Sequence, residues 1–260
     1  MYHFVSMKIP ISRQDQQPVY VLHTYPYLET SLVVELFTRN FGRVATIAKG
    51  ARRPRSAMRG MLQSFQPLVA TWSGKSELRT LHEIEWQGGL HVLKGQALIC
   101  GFYLNELMLR LLPREDPHEA LFEHYQQALQ ALTGEEAQSI VLRRYEIRLL
   151  QELGYALSLT QEAGSGDDID AGALYSFVPE YGAVKASPQS ANGSASNGSG
   201  LQNKSGIQLR GKTLLDMAQD DYTDTQTLQQ SKQLMRTLIN HHLGDKPLHT
   251  RQLLIDLQQL

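Results

Sequence analysis

The sequence predicts an α+β chain in which a small five-stranded barrel precedes an α-helical region that carries a partly disordered insertion. Three observations lead there. Between Pro18 and Trp86, short runs of branched and aromatic residues alternate with turn residues, and no helical period outlasts a turn or two. From Ala97 to Leu153, and again from Thr213 to Leu243, apolar residues recur at helical spacing. Between those stretches apolar density falls, and the segment ends in a Ser/Gly/Asn tract.

Residues 1–15 are polar and read as a flexible leader. The region 16–86 follows as the barrel. PVYVLHTY and SLVVELFT are its first two strands, joined through Pro-Tyr-Leu-Glu. Asn40-Phe41-Gly42 is a tight-turn signal, and RVATIAKG after it is the third strand. PLVATWS and ELRTLHEIEW flank Ser73-Gly74-Lys75 as a hairpin. Five strands in so short a span bury their apolar faces most economically as a closed barrel of the OB-fold type. A small SH3-like barrel or an open sheet is the alternative.

A helical domain is expected over 87–157. Its first helix ends at Pro113. Asp116-Pro117-His118-Glu119 has the form of an N-cap, a first-turn proline and a capping-box glutamate for the second. The third runs from about Glu135 to Leu153, with Gly154 placed to end it. Residues 158–209 form the insertion: LYSFVPEYGAV reads as a short hairpin, and about 186–206 as a flexible linker. The segment 210–260 supplies C-terminal helices expected to pack on the helical domain.

Composition narrows the function. With 42% hydrophobic and 20% charged residues the chain is globular, and no apolar run reaches the length of a membrane span. The N-terminus lacks the charged and apolar regions of a signal peptide, so a cytoplasmic location is expected. A single cysteine, Cys100, excludes an internal disulfide and any multi-cysteine metal site. The net charge of −1 hides an asymmetry: residues 13–83 carry ten basic and five acidic side chains, whereas 84–260 carry fourteen and twenty-one. An anionic partner therefore belongs on the barrel.

The sharpest feature is Arg39, Arg43, Lys49, Arg52, Arg53, Arg55 and Arg59: seven cations in twenty-one positions, with no acid among them. The last four occupy the Gly/Pro-bearing loop GARRPRSAMRG, which projects cations without burying them, as contact with a phosphate backbone requires. Tyr25, Tyr27, Phe37, Phe41, Phe65 and Trp72 supply candidate stacking platforms, though most suit a barrel core. The competing reading is a solvated basic surface over core aromatics.

GIQLRGKT, from Gly206 to Thr213, matches a phosphate-loop pattern, but nothing before Gly206 reads as a buried strand and Ile207-Gln208-Leu209 reads as strand rather than loop. Cys100 falls on an apolar helix face, as an inert thiol does. Asp167, Asp168 and Asp170 lack the glycine and glutamate that complete a calcium loop. No catalytic residue and no cofactor is expected.

At VLHTYPYLETSLVVELFTRNFGRVATIAKGARRPRS the sequence resembles the bacterial RecO family of DNA-repair and recombination mediators. The resemblance continues through LQSFQPLVATWSGKSELRTL, GFYLNELMLRLLPREDPHEALFEHY, VLRRYEIRLLQELGY and LGDKPLHTRQLL. It implies an N-terminal OB-fold, a helical core and a non-enzymatic activity. Such proteins bind single- and double-stranded DNA, anneal complementary strands and help load recombinase, working with RecR, single-strand-binding protein and, indirectly, RecA. Many members carry a four-cysteine zinc module after the segment matching LGYALSL; this chain has no cysteine there, so no metal site transfers. Arg143, Arg144 and Arg148 cluster on one helix of the acidic part, and the resemblance singles out Arg143 as the receptor for the acidic tail of single-strand-binding protein. Pairing with Glu136, Glu146 or Glu152 is the competing reading of those arginines. The alternative function is a housekeeping RNA-binding OB protein, which the same charge pattern allows.

Overall fold

The computed structural model describes residues 13–89, 92–155, 157–186, 206–244, 247–250 and 252. Residues 187–205 of the expected linker, and residues 251 and 253–260 of the expected C-terminal helices, lie outside those residues. The chain divides into two units, which meet between Thr133 and Gly134.

The first unit opens with β1 (Arg13–Tyr27), β2 (Ser31–Thr38) and β3 (Gly42–Ala48). A short helix, α1 (Ala57–Met61), precedes β4 (Leu68–Ser73) and β5 (Leu78–Trp86). The strands close into a barrel in the order β1-β2-β3-β5-β4. The β3–β5 pair is parallel, and β1 pairs with β4 to complete the ring. Alternation decides what enters: Val34 and Leu36 of β2, Val44 and Ala48 of β3, and Val19 and Val21 of β1 fill the interior around the fully buried Trp72. Phe41 stands edge-on to Trp72 at 5.7 Å, while Met58 and Leu62 pack from α1 and its end.

Strand β1 starts earlier than its sequence suggests. Arg13 and Gln14, in the stretch expected to be leader, pair with Ser73 and Trp72, and Gln17 pairs with Ala70. The pairing is backbone-made, so RQDQQ needs no apolar alternation to join it.

Helices α2 (Gly95–Leu111) and α3 (Glu119–Leu132) belong to the same unit as the barrel, so the expected 87–157 domain is divided. The reason is a set of outward-facing barrel aromatics. Tyr20 and Phe37, opposite one another on β1 and β2, meet Phe122 and Tyr125 at centroid separations of 5.0–6.0 Å. A bulge between Val21 and His23 takes Leu22 out of the β1–β2 register. Asn105 of α2 donates to the Leu22 carbonyl at 2.8 Å and accepts from the Tyr125 hydroxyl at 2.6 Å. That buried chain satisfies each of its polar atoms.

The expected cap of α3 is not formed. His118 is the N-cap residue, without a side-chain cap bond, and Asp116 lies outside the helix. The Asp116 backbone instead rests on Gly42, whose φ is +63°. A Cβ there would overlap the Asp116 carbonyl, and the backbone conformation already disfavours a side chain. Gly42→Ala is therefore expected to lower stability by about 2–4 kcal/mol, read as a shift in urea midpoint at unchanged slope.

The second unit contains α4 (Gln138–Glu152), β6 (Leu174–Val178), β7 (Gly182–Lys185), β8 (Ile207–Arg210), α5 (Gly211–Ala218) and α6 (Thr225–Leu243). The strands form an antiparallel sheet, β7-β6-β8, as the hairpin reading anticipated for its first two members. Helix α6 packs against both α4 and α5, burying Leu234, Met235, Leu238 and Ile239. Gly154, at φ +82°, follows the end of α4, and Asp224 caps α6 by accepting from the Gln226 amide.

Candidate nucleic-acid interface

After β3 the chain turns at Gly50 and descends through a succession of short-range bonds, Arg53 N–H to the Gly50 carbonyl and Ser56 N–H to the Arg53 carbonyl. Ala51 is fully buried and pins the turn to the barrel. The Arg52 amide donates to the Thr30 carbonyl at 2.8 Å, tying this loop to the β1–β2 turn. The loop is thus held at its base while its long side chains stand outward. Lys49, Arg52, Arg53, Arg55 and Arg59 are all exposed, and among the described residues none of the five forms an ion pair.

Arg39 and Arg43 do not share that freedom. The Arg39 guanidinium lies 5.5 Å from the Phe122 ring centroid and 3.8 Å from Glu123. Arg43 is half-buried and bonds Glu35 at 3.3 Å and the Leu112 carbonyl at 3.2 Å. Glu35 is itself buried, and Arg114 takes its other oxygen. Burial holds the Arg43 pKa below the ordinary arginine value, against the opposing pull of Glu35. Both were expected at the anion-binding face. Arg43 instead fastens the barrel to the α2–α3 connection, and Arg114 is the partner that sequence spacing did not suggest.

The six candidate aromatics separate equally clearly. Phe37, Phe65 and Trp72 are buried and Phe41 packs on the core; only Tyr25 and Tyr27 are exposed. Tyr25 pairs across to Val33, and Val33 to Ile47, so this outward strip leads across β2 to β3, next to Lys49. Toward Phe37 the same face is covered by α3; toward Tyr27 it is open. The open end is a cationic rim around a patch of aromatic and aliphatic surface.

In the second unit the three candidate arginines part company. Arg143 is buried and bonds the fully buried Glu146 at 2.6 Å, with the Lys232 carbonyl at 3.4 Å. That geometry corrects the expectation that Arg143 offers an open guanidinium. Arg144 is clasped by Asp220 and Glu136, whose hydrogen bonds raise its pKa. Arg148 is exposed, and among the described residues its guanidinium bonds neutral Gln151 at 3.3 Å and no acid.

The remaining motifs have structural occupations. Residues 207–210 of the phosphate-loop lookalike are β8, and Lys212 is bound to Asp216. Burial pushes the Cys100 thiol pKa up. Asp170 accepts from the Gly172 amide at 2.9 Å within an exposed turn. The 160–169 loop is held by backbone bonds such as Glu162 N–H to the Asp167 carbonyl and Ile169 N–H to the Thr160 carbonyl. Among the described residues no group of three His, Cys, Asp or Glu side chains is placed to hold a metal ion. No helix among them is long and apolar enough to cross a membrane. A cavity of about 240 Å³, lined in part by Leu150, Tyr155, Phe177, Leu238 and His242, lies within the second unit. Tyr155 stacks on His242 at its wall, and burial lowers the His242 pKa.

An OB-type barrel with an acid-free cationic loop beside exposed aromatics, followed by a second unit of helices and a small sheet, defines a barrel-bearing class suited to nucleic-acid work. Comparison with known proteins makes the class specific. The family described as recombination protein O, N terminal, matches residues 13–89, and its C-terminal counterpart matches 93–252. A DNA repair protein RecO from Nitrosospira multiformis is 55% identical over 254 residues, covering 98% of this chain and 100% of that protein. Those of Aromatoleum aromaticum and Thiobacillus denitrificans are 50% and 48% identical, over 95% and 96% of this chain and 98% and 94% of theirs. The chain belongs to the RecO family, and its role lies in DNA repair and recombination.

Proposed function

We propose that the chain is a non-enzymatic mediator that binds single- and double-stranded DNA on the open barrel face, anneals complementary strands and helps load recombinase. One observation carries the reading: five exposed cations, none in an ion pair among the described residues, on a loop tied to a turn that carries exposed Tyr27. Phosphates meet the cations, while unstacked bases meet Tyr25 and Tyr27, the combination by which barrels hold single strands. RecR, the tail of single-strand-binding protein and RecA are the proposed partners. For the acidic tail the favoured contact is Arg148, because its guanidinium is exposed and engages no acid among the described residues.

The RNA-binding alternative uses the same charges, so a competition titration decides it. Labelled single-stranded DNA is challenged with unlabelled DNA or RNA of the same sequence. Displacement at lower concentration by DNA is expected; equal or better displacement by RNA reverses the assignment.

A further inference from the structure

We propose that Leu28 is an apolar wedge that enters a stacked base step of bound DNA and unstacks it. This rests on the proposed DNA reading of the barrel face and specifies how that face treats the bases.

Leu28 is the most exposed of the large hydrophobic residues described, at 76%. A lone exposed leucine needs no explanation, but this one combines three further properties. It follows Tyr25 and Tyr27, themselves 45% and 37% exposed, so the turn adds a third exposed large apolar side chain after that strip. Its backbone lies in the left-handed region at φ +50°, which a leucine adopts only where the surroundings over-determine it. Glycine or asparagine would fill that position without strain.

The surroundings that impose it belong to the cationic loop. Besides the Arg52 amide bond to Thr30, the Arg52 guanidinium donates to the Leu28 carbonyl itself at 3.4 Å. The Gly50 amide reaches the Ser31 hydroxyl, also at 3.4 Å. A strained, solvent-facing leucine is therefore held rigidly beside the side chains proposed to grip phosphates. Glu29 next to it is exposed and acidic, so the tip is no phosphate contact; it is shaped to meet bases. Leucine side chains inserted between base steps are an established way to unstack nucleic acid, and the cations alongside hold the backbone during insertion.

The test uses the full chain with DNA carrying 2-aminopurine, whose fluorescence rises when neighbouring bases unstack. The unaltered protein is expected to raise the signal on both duplex and single strand. Leu28→Ala and Leu28→Gly should lose most of that rise while affinity by anisotropy stays within about threefold, since phosphate contacts set most of it. Leu28→Met should retain it. Leu28→Gly should leave Tm unchanged or raise it by up to about 2 °C, because the left-handed strain disappears. A full fluorescence rise with Leu28→Gly, no rise with the unaltered protein, or a clear fall in Tm overturns the proposal. The underlying reading fails separately: it is lost if removing the loop arginines leaves affinity and salt slope unchanged. The wedge alone is lost if those arginines prove essential and Leu28→Gly still unstacks.

Discussion

Replacing Arg52, Arg53 and Arg55 together with alanine weakens binding to single-stranded DNA about tenfold or more near 0.15 M salt. The slope of log K against log [salt] also becomes shallower by about 2, at ~0.7 per lost contact on a single strand. All three side chains are exposed, so thermal unfolding should remain that of the parent chain. Anisotropy across a salt series reads both quantities at once. Unchanged affinity and slope would place the anion site elsewhere. Arg43→Ala is the matched contrast: its guanidinium is bound to Glu35 and the Leu112 carbonyl, so it should lose stability first and salt slope hardly at all.

The second large effect separates Arg143 from Arg148. Arg143→Ala removes the guanidinium that neutralises a fully buried Glu146, and breaking a buried pair from one side costs about 3 kcal/mol or more. Arg148→Ala removes an exposed side chain held by one neutral contact and should cost less than about 0.5 kcal/mol. Against a labelled acidic peptide ending in an apolar residue, Arg148→Ala should lose affinity while remaining fully folded. Urea unfolding of the two variants, run beside peptide anisotropy, checks both halves. An Arg143→Ala chain of parental stability would show that the pair contributes nothing. Undiminished peptide binding by Arg148→Ala would remove it as the receptor.

These contrasts show where sequence reading succeeds and where it stops. The five strands were legible because branched residues alternate with polar ones and turns lie between them. The helix α6 was legible from apolar residues at helical spacing that run to Leu243, before Gly244; its Asp224 cap was not. The cationic loop was legible as composition. Which of its members are free was not, because Glu35 lies in a strand and Arg114 in a distant loop, and only the fold unites them with Arg43. Arg143 misled for a related reason. Helix α4 is buried round much of its circumference, from Val141 to Leu150, so a charge within it is not thereby on a wet face. The Asp116 cap was a sound local signal overridden by a tertiary demand, the packing of its backbone on Gly42. Leu28 carried no signal at all, because nothing in a leucine's identity announces a left-handed backbone.

A closed barrel has no rim along which another strand can add, and here the first residues of β1 cover much of the seam that closes it. Remove the chain up to Gln17, as a tag-trimming or shortened version would, and Trp72 and Ala70 lose their strand partners on that side. Only the Pro18–Val69 and Val19–Leu68 pairs then close that seam, and the unpaired N–H and C=O groups of β4 beyond them are a template for the same border of a neighbouring molecule. The five polar residues RQDQQ, which bury almost nothing, are thus the molecule's guard against sticking to its own copies. Shortening the chain past them should show itself as concentration-dependent association long before it shows as loss of the cationic face.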